Sequence, residues 1–151
     1  MTSYDDIIDL MLVSMEDYRL NKLFELNEEN FKVVLDGFMI RGLPNFDNCV
    51  KDLSDRNDEE RQFNIVLNDS EKSIIADWGT IMWLDKEIND IRQITSMLQN
   101  RNEAHRYSEA NNLKSKMDRR IEMIEFVKQK QTEYSFKNNQ WKKWASGDYG
   151  L

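Results

Sequence analysis

The sequence predicts an all-α fold, and three observations carry that reading. Glycine and proline are scarce, five and one in 151 residues, too few for the turns a strand-rich protein needs. Leu, Met, Glu, Lys, Gln and Arg, which suit helices, are plentiful. Apolar residues recur at helical spacing along most of the chain. The expected architecture is a helical bundle of about four helices with a long helical hairpin and an extended C-terminal tail. The length fits one domain, with residues 1–135 as the helical domain and 136–151 as a docking tail without a separate fold.

The first helix is expected to open at Ser3. Ser3 and Asp6 have the form of a capping box, and Asp5 and Asp6 suit the positive end of a helix. Ile7, Ile8, Met11, Leu12, Met15, Tyr18 and Leu23 then follow helical spacing to about Leu26. Asn27 reads as the next cap, with Glu28 and Glu29 in the first turn. Phe31, Val34, Leu35, Phe38 and Met39 form a clean amphipathic stripe. Gly42 is expected to close this helix in a left-handed cap, and Pro44 prevents its continuation.

Residues 45–54 suggest a short helix with Phe46, Cys49, Val50 and Leu53 on one face. The run 54–62 has six charged residues of nine and reads as an exposed loop. Phe63, Ile65, Val66 and Leu67 suit either a lone strand or a helical turn, and periodicity does not separate the two.

A long helix should start near Asn68 or Asp69 and fade by 99–102. Ile74, Ile75, Trp78, Met82, Ile88, Ile91 and Leu98 share its apolar side. Gly79 lies inside it, at a cost of about 1 kcal/mol against alanine, which suggests a close crossing by another helix. A last helix is expected over 108–134, with Leu113, Met117, Ile121, Ile124, Val127 and Tyr134 as its stripe. Its charged flanks suit a two-helix hairpin.

Charge is uneven. Residues 1–75 hold 17 acids and 8 bases; residues 76–151 hold 11 acids and 13 bases, within a net charge of −7. Such asymmetry suits docking between unlike faces, and the acidic total argues against a dedicated nucleic-acid binder. No stretch approaches the ~20 apolar residues of a bilayer crossing, and the first residues lack the pattern of a secretory signal. One cysteine and one histidine exclude a disulfide framework and a zinc finger. Synthesis in a reducing cytoplasm is expected.

No motif carries an enzymatic chemistry. A P-loop, GxGxxG, HExxH, CxxC and GxSxG are all missing, so no cofactor, metal or catalytic residue is assigned. Cys49 with His105 would be a nucleophile pair without an orienting group. Glu25 with Glu28 and Glu87 with Asp90 have the spacing of paired carboxylates that hold magnesium on facing helices, as in all-α nucleotide pyrophosphohydrolases. That is the alternative enzymatic reading. The tail carries Trp141, Lys142, Lys143 and Trp144, and aromatic side chains of this kind suit anchoring to a partner.

Several segments together carry a resemblance. They are Phe46-Asp-Asn-Cys-Val-Lys-Asp-Leu53, the acidic run Asp55-Arg-Asn-Asp-Glu-Glu60, and Leu67-Asn-Asp-Ser-Glu71. Ile74-Ile-Ala-Asp-Trp-Gly-Thr-Ile-Met-Trp-Leu84 and Tyr107-Ser-Glu-Ala-Asn-Asn-Leu-Lys114 follow, with Tyr134 and Trp141 after the charged helix. The chain resembles the small helical proteins encoded beside head and neck genes in tailed bacteriophages, the head-tail connector or portal adaptor class in particular. The resemblance implies a virion structural protein forming a ring, expected as a dodecamer, under the portal. It would join the capsid to a neck, stopper or tail-completion protein and extend the channel through which genomic DNA passes without specific binding. It places Trp141, Lys142, Lys143, Trp144, Tyr149 and Leu151 on the portal. An assembly chaperone that never enters the particle is a further alternative.

Overall fold

The structure is a computed structural model that describes residues 1–15, 18–97, 103–138 and 147, with backbone alone for 18–20, 94, 95, 97 and 103–107. The described chain is mostly helical, with five α-helices and a small three-stranded sheet. In order these are β1 (Thr2–Ser3), α1 (Tyr4–Ser14), α2 (Tyr18–Leu26), α3 (Glu28–Gly42), a 3-10 turn (Leu43–Asn45), β2 (Arg56–Asn57), β3 (Gln62–Phe63), α4 (Asp69–Met97) and α5 (Glu103–Asn138).

Ser3 caps α1, its hydroxyl accepting from the Asp5 N–H at 3.2 Å. Asp6 does not complete a capping box but lies 3.4 Å from Lys72. The expected single helix to Leu26 is instead two. α1 stops at Met15, whose backbone is extended, and the Arg119 guanidinium donates to the Ser14 carbonyl. A partner 105 residues away thus satisfies an end carbonyl of α1, and local periodicity does not report it. Asn27 caps α3 as expected, accepting from the N–H groups of Glu29 and Asn30.

Gly42 is not a left-handed cap. Its φ of −75° and ψ of −25° are right-handed, and the chain tightens directly into the 3-10 turn. The reason for glycine is contact. A Cβ at Gly42 would lie 2.8 Å from the Trp78 carbonyl carbon and 2.9 Å from the Gly79 nitrogen. Gly79 does serve the close crossing expected of it: a Cβ there would meet the Met11 sulfur at 2.8 Å and Met39 Cα at 3.3 Å. α4 therefore runs through the interior against α1, α3 and α5, while α2 packs on α3. Ile74, Ile75, Ile81, Trp83 and Leu84 are buried around almost its whole circumference, the pattern of a central helix.

The expected helix over 45–54 is absent. After the 3-10 turn the segment runs through turns, with Phe46 buried and Val50 exposed. The expected loop over 54–62 is an ordered hairpin. β3 lies between β1 and β2, antiparallel to both, pairing Phe63 with Thr2 and Arg56. Thr2 fastens β1 to the segment between β3 and α4: its hydroxyl donates to the Ile65 carbonyl at 3.1 Å and accepts from the Leu67 N–H at 2.9 Å. Of the apolar run, Phe63 enters the strand and Leu67 is buried, but Val66 is exposed.

Arg61 turns the hairpin with φ of 54°, a left-handed conformation uncommon outside glycine. Its guanidinium makes two bonds to the Asp36 carboxylate, at 2.7 and 2.9 Å, and reaches Asp5 at 2.8 Å. That fork offsets the backbone cost.

α4 opens with a reciprocal capping box. Asn68 Oδ1 accepts from the Glu71 N–H and Glu71 Oε2 accepts from the Asn68 N–H, both at 2.9 Å. The expected fade at 99–102 lies outside the described residues. α5 is longer than expected at both ends, and its 36 residues span roughly 54 Å at ~1.5 Å each. Residues 136–138 therefore continue the helix rather than start the tail. Val127 and Tyr134 are buried in the core as expected, Leu113 and Ile124 are partly covered, and Met117 and Ile121 are exposed.

Candidate functional site

α5 meets the 43–51 segment through two polar side chains three residues apart. Gln131 is buried, and its carbonyl accepts from the Trp78 indole N–H at 2.8 Å. Its amide donates to the Asn45 carbonyl at 3.1 Å and to Asn48 Oδ1 at 3.2 Å, while Asn48 donates back to the Gln131 main chain at 2.9 Å. Tyr134 is buried too. Its hydroxyl donates to Glu71 at 2.9 Å and accepts from the Val50 N–H at 3.1 Å. Glu71 also takes Lys51 at 2.8 Å. Burial, together with the bond to Glu71, pushes the Tyr134 hydroxyl well above its ordinary range. No buried side-chain polar atom lacks a partner among the described residues, so this network is closed and fixes the segment's position.

Two clefts flank the segment. The larger, about 720 Å³, lies between the 3-10 turn and the last turns of α5, with Pro44, Asp47, Trp78, Gln131 and Phe136 among its walls. The second, about 510 Å³, lies on the other side and is lined by Ile40, Leu53, Cys49 and Asp52 among others. They share Pro44 and Asp47. Beyond them the turns are strongly acidic on the outside: Asp47, Asp52, Asp55, Glu59 and Glu60 are all exposed. Asp58 is held below the usual carboxylate range, first by the Tyr4 hydroxyl that donates to it at 2.5 Å.

The sequence-derived site residues fall as follows. Trp141, Lys142, Lys143, Trp144, Tyr149 and Leu151 lie outside the described residues. The four carboxylates of the enzymatic alternative do not converge. Glu25 and Glu28 are exposed on α2 and α3, Glu87 is buried with Lys116 at 3.1 Å, and Asp90 is bound by Lys86 at 2.9 Å. No group of three or more His, Cys, Asp or Glu side chains that could hold a metal forms among the described residues. Cys49 and His105 do not meet either. Cys49 touches the Tyr134 hydroxyl at 3.9 Å, and His105 is 29 residues earlier on the same helix, roughly 40 Å away along the axis. The Cys49 thiol is pushed up by burial, the opposite of an activated nucleophile.

Periodicity places Tyr134 on the apolar stripe but does not mark it or Gln131 as a polar anchor. The signal is a glutamine and a tyrosine in register with Val127, and all three are buried. A second feature is the apolar surface left outside. Val13, Leu26 and Val33 stand exposed on α1–α3, and Ile121, Phe126 and Phe136 on α5. Compared with known proteins, the chain matches no family model, no curated protein and no solved structure. No helix among the described residues is long and apolar enough to cross a membrane.

Proposed function

We propose that this chain is a head-tail connector subunit of a tailed bacteriophage, a structural protein that forms a ring beneath the portal and joins the capsid to the neck. In this reading the helices act as one small bundle. The α4–α5 hairpin is its rod, and Trp141, Lys142, Lys143, Trp144, Tyr149 and Leu151 dock on the portal. The observation that carries it is the exposed apolar surface on two separate sets of helices, Val13, Leu26 and Val33 on one and Ile121, Phe126 and Phe136 on the other. A ring subunit shows a different face to each neighbour, in a heterologous contact that closes, and exposed apolar groups suit such contacts. The acidic outer turns fit a channel component that lets DNA pass, since they repel phosphates.

Native mass spectrometry of the protein with the portal encoded alongside it tests the reading. The expected result is a complex whose subunit count matches the portal ring. Deleting residues 139–151 should leave the helical signal intact and abolish that complex. A protein that ignores the portal removes the connector reading. Absence from purified virions would convert it to an assembly chaperone.

A further inference from the structure

Two helix faces of this chain are left uncovered within the subunit, and they match each other. We propose that α5 of one copy lies antiparallel across α3 of the next, with its Ile121 seated over Gly37. The place of this contact in a ring under the portal rests on the connector reading; the contact between copies does not.

The first face is the outward side of α3. Gly37 lies in the middle of that helix, where glycine costs roughly 0.5–1 kcal/mol against alanine. A Cβ there would meet nothing within 4 Å, so nothing in the subunit calls for the small residue. Close approach from outside does. Val33 and Ile40, four residues before and three after, share the face. Val33 is 66% exposed and Ile40 is half-buried. Acids stand at both ends: Glu29 is exposed in the first turn, and beyond Ile40 the second cleft adds Asp47 and Asp52. Arg41 is exposed on the same face. The other bases nearby are taken, Lys51 by Glu71, Arg56 by Asp58, and Lys32 by Asp5 and Glu28. The subunit's own Lys128 lines the first cleft with Asp47 but makes no ion pair with it.

The second face is the outward side of α5. Met117, Ile121 and Ile124 form its apolar centre, and Ile121 is 54% exposed. Lys114 and Lys128 each lie seven residues from Ile121, roughly 10 Å along the axis. Asp118 and Glu125 are the acids of this face. All four charged side chains are exposed and unpaired among the described residues. Arg92 of α4 adds a cation beside Met117, 3.9 Å from its sulfur. Lys116 and Arg120 turn inward to Glu87 and Asp85.

With the helices antiparallel and Ile121 at Gly37, the two faces correspond. Met117 and Ile124 fall beside Ile40 and Val33. Lys114 and Arg92 reach the end that carries Asp47 and Asp52. Lys128 reaches Glu29, which lies roughly 12 Å from Gly37, and Asp118 meets Arg41. Glu125 stays beside Lys128 on its own helix. The parallel sense would set Lys114 and Arg92 together against Glu29 and leave two acids to Lys128, so the charges select the antiparallel one. Burial of Val33 and Ile121 supplies the attraction. The two faces differ, so the contact is heterologous and repeats from copy to copy.

Sedimentation velocity and native mass spectrometry of the full chain without the portal test the contact. The expected result is assemblies larger than a dimer that grow with concentration. Gly37→Ala should stay helical by circular dichroism and weaken association at least about tenfold, which corresponds to about 1.4 kcal/mol. Glu29→Lys with Asp47→Lys should be monomeric, as should Lys114→Asp with Lys128→Asp, and mixing the two proteins should restore assembly. A wild-type chain that stays monomeric where a micromolar contact would be populated overturns the proposal. So does a dimer that grows no further, association indifferent to Gly37→Ala, or a mixture that stays monomeric. Assembly of the expected kind in a protein that ignores the portal removes the connector reading and keeps the contact. A portal-bound ring unmoved by Gly37→Ala and by both charge reversals keeps the connector reading and removes the contact.

Discussion

Replacing glycines one at a time along α3 and α4 measures how closely the two helices cross. A Cβ at Gly37 meets nothing within 4 Å. Gly37→Ala should therefore gain helix propensity alone, about 0.5–1 kcal/mol. At Gly42 the same methyl lands 2.8 and 2.9 Å from main-chain atoms of α4, well inside the ~3.5–4.0 Å of an ordinary carbon contact. Backbone does not swing aside, so α3 must lift away from Trp78 and Gly79. That is overpacking at a rigid site, worth about 3 kcal/mol. Propensity returns less than ~1 kcal/mol at a helix end, which leaves a net loss of roughly 2 kcal/mol. At Gly79 the methyl meets the tip of Met11, a flexible side chain, as well as Met39 Cα at 3.3 Å. The net loss there should be smaller, about 1 kcal/mol. Thermal and urea unfolding followed by circular dichroism reads all three. At ~2–4 °C per kcal/mol for a chain of this size, Gly42→Ala should lower Tm by about 4–8 °C and Gly37→Ala should raise it. Gly42→Asn separates contact from cap. Asparagine tolerates a left-handed cap, but in a close crossing it is bulkier and should be worse than alanine. Gly42→Ala within ~0.5 kcal/mol of wild type, or Gly42→Asn more stable than Gly42→Ala, would refute the crossing.

Two further outcomes follow from the polar network. Gln131→Leu keeps most of the volume but strands the buried Trp78 indole N–H and takes the donor from the Asn45 carbonyl and Asn48 Oδ1; it should cost about 3 kcal/mol in urea unfolding, and a loss below ~1 kcal/mol would mean that water replaces the amide. Burial raises the hydroxyls of Tyr4 and Tyr134 above the ordinary tyrosine range, so the folded state favours their protonated forms. Their contribution is complete below about pH 10 and is lost as pH rises above it. Unfolding midpoints should fall on that alkaline side, and Tyr4→Phe with Tyr134→Phe should flatten the fall; an unchanged slope in the double variant would assign the loss to other groups.

What was legible in the sequence follows the range of the forces involved. Helix α3 was legible because its cap and its stripe lie within fifteen residues of one another: Asn27 binds the first turn and Phe31, Leu35, Phe38 and Met39 are all buried. The long helices α4 and α5 were legible in their repeats, through Ile74, Ile75, Val127 and Tyr134, all buried, although Met117 and Ile121 of the same reading are exposed. The break after Ser14 was not, because its partner is Arg119. Nor was the hairpin over 56–63, because two-residue strands carry no periodicity and are held by Thr2, Tyr4 and Asp36 from distant segments. At Ser54–Gln62 the charged residues suggested an exposed loop, and Ser54, Asp55, Asp58, Glu59 and Glu60 are exposed, but the segment is held as a hairpin. Arg61 and Asp58 are instead engaged by Asp36 and Tyr4. The proposed docking residues depend on a tail that composition and resemblance single out and that lies beyond α5.

The charge asymmetry also changes meaning once the helices are placed. Three bases of α5 face α4 rather than a neighbour: Lys116 on Glu87, Arg120 on Asp85 and Lys130 on Asp77. Each pair lies within the second half of the chain, so these three bases are matched there by acids of α4. In the first half Lys51, Arg56 and Arg61 are likewise held by Glu71, Asp58 and Asp36. Acids outnumber bases there, so the surplus stays outside, and the turns over 47–60 carry much of it. A partner drawn electrostatically to this molecule would therefore be cationic and would meet it at those turns. A partner of the exposed apolar surfaces of α1–α3 and α5 would be held by burial instead. The two kinds of contact differ in salt dependence, since screening weakens the first and not the second. Raising ionic strength should loosen whatever binds the acidic turns while leaving in place any contact made through Leu26 or Ile121.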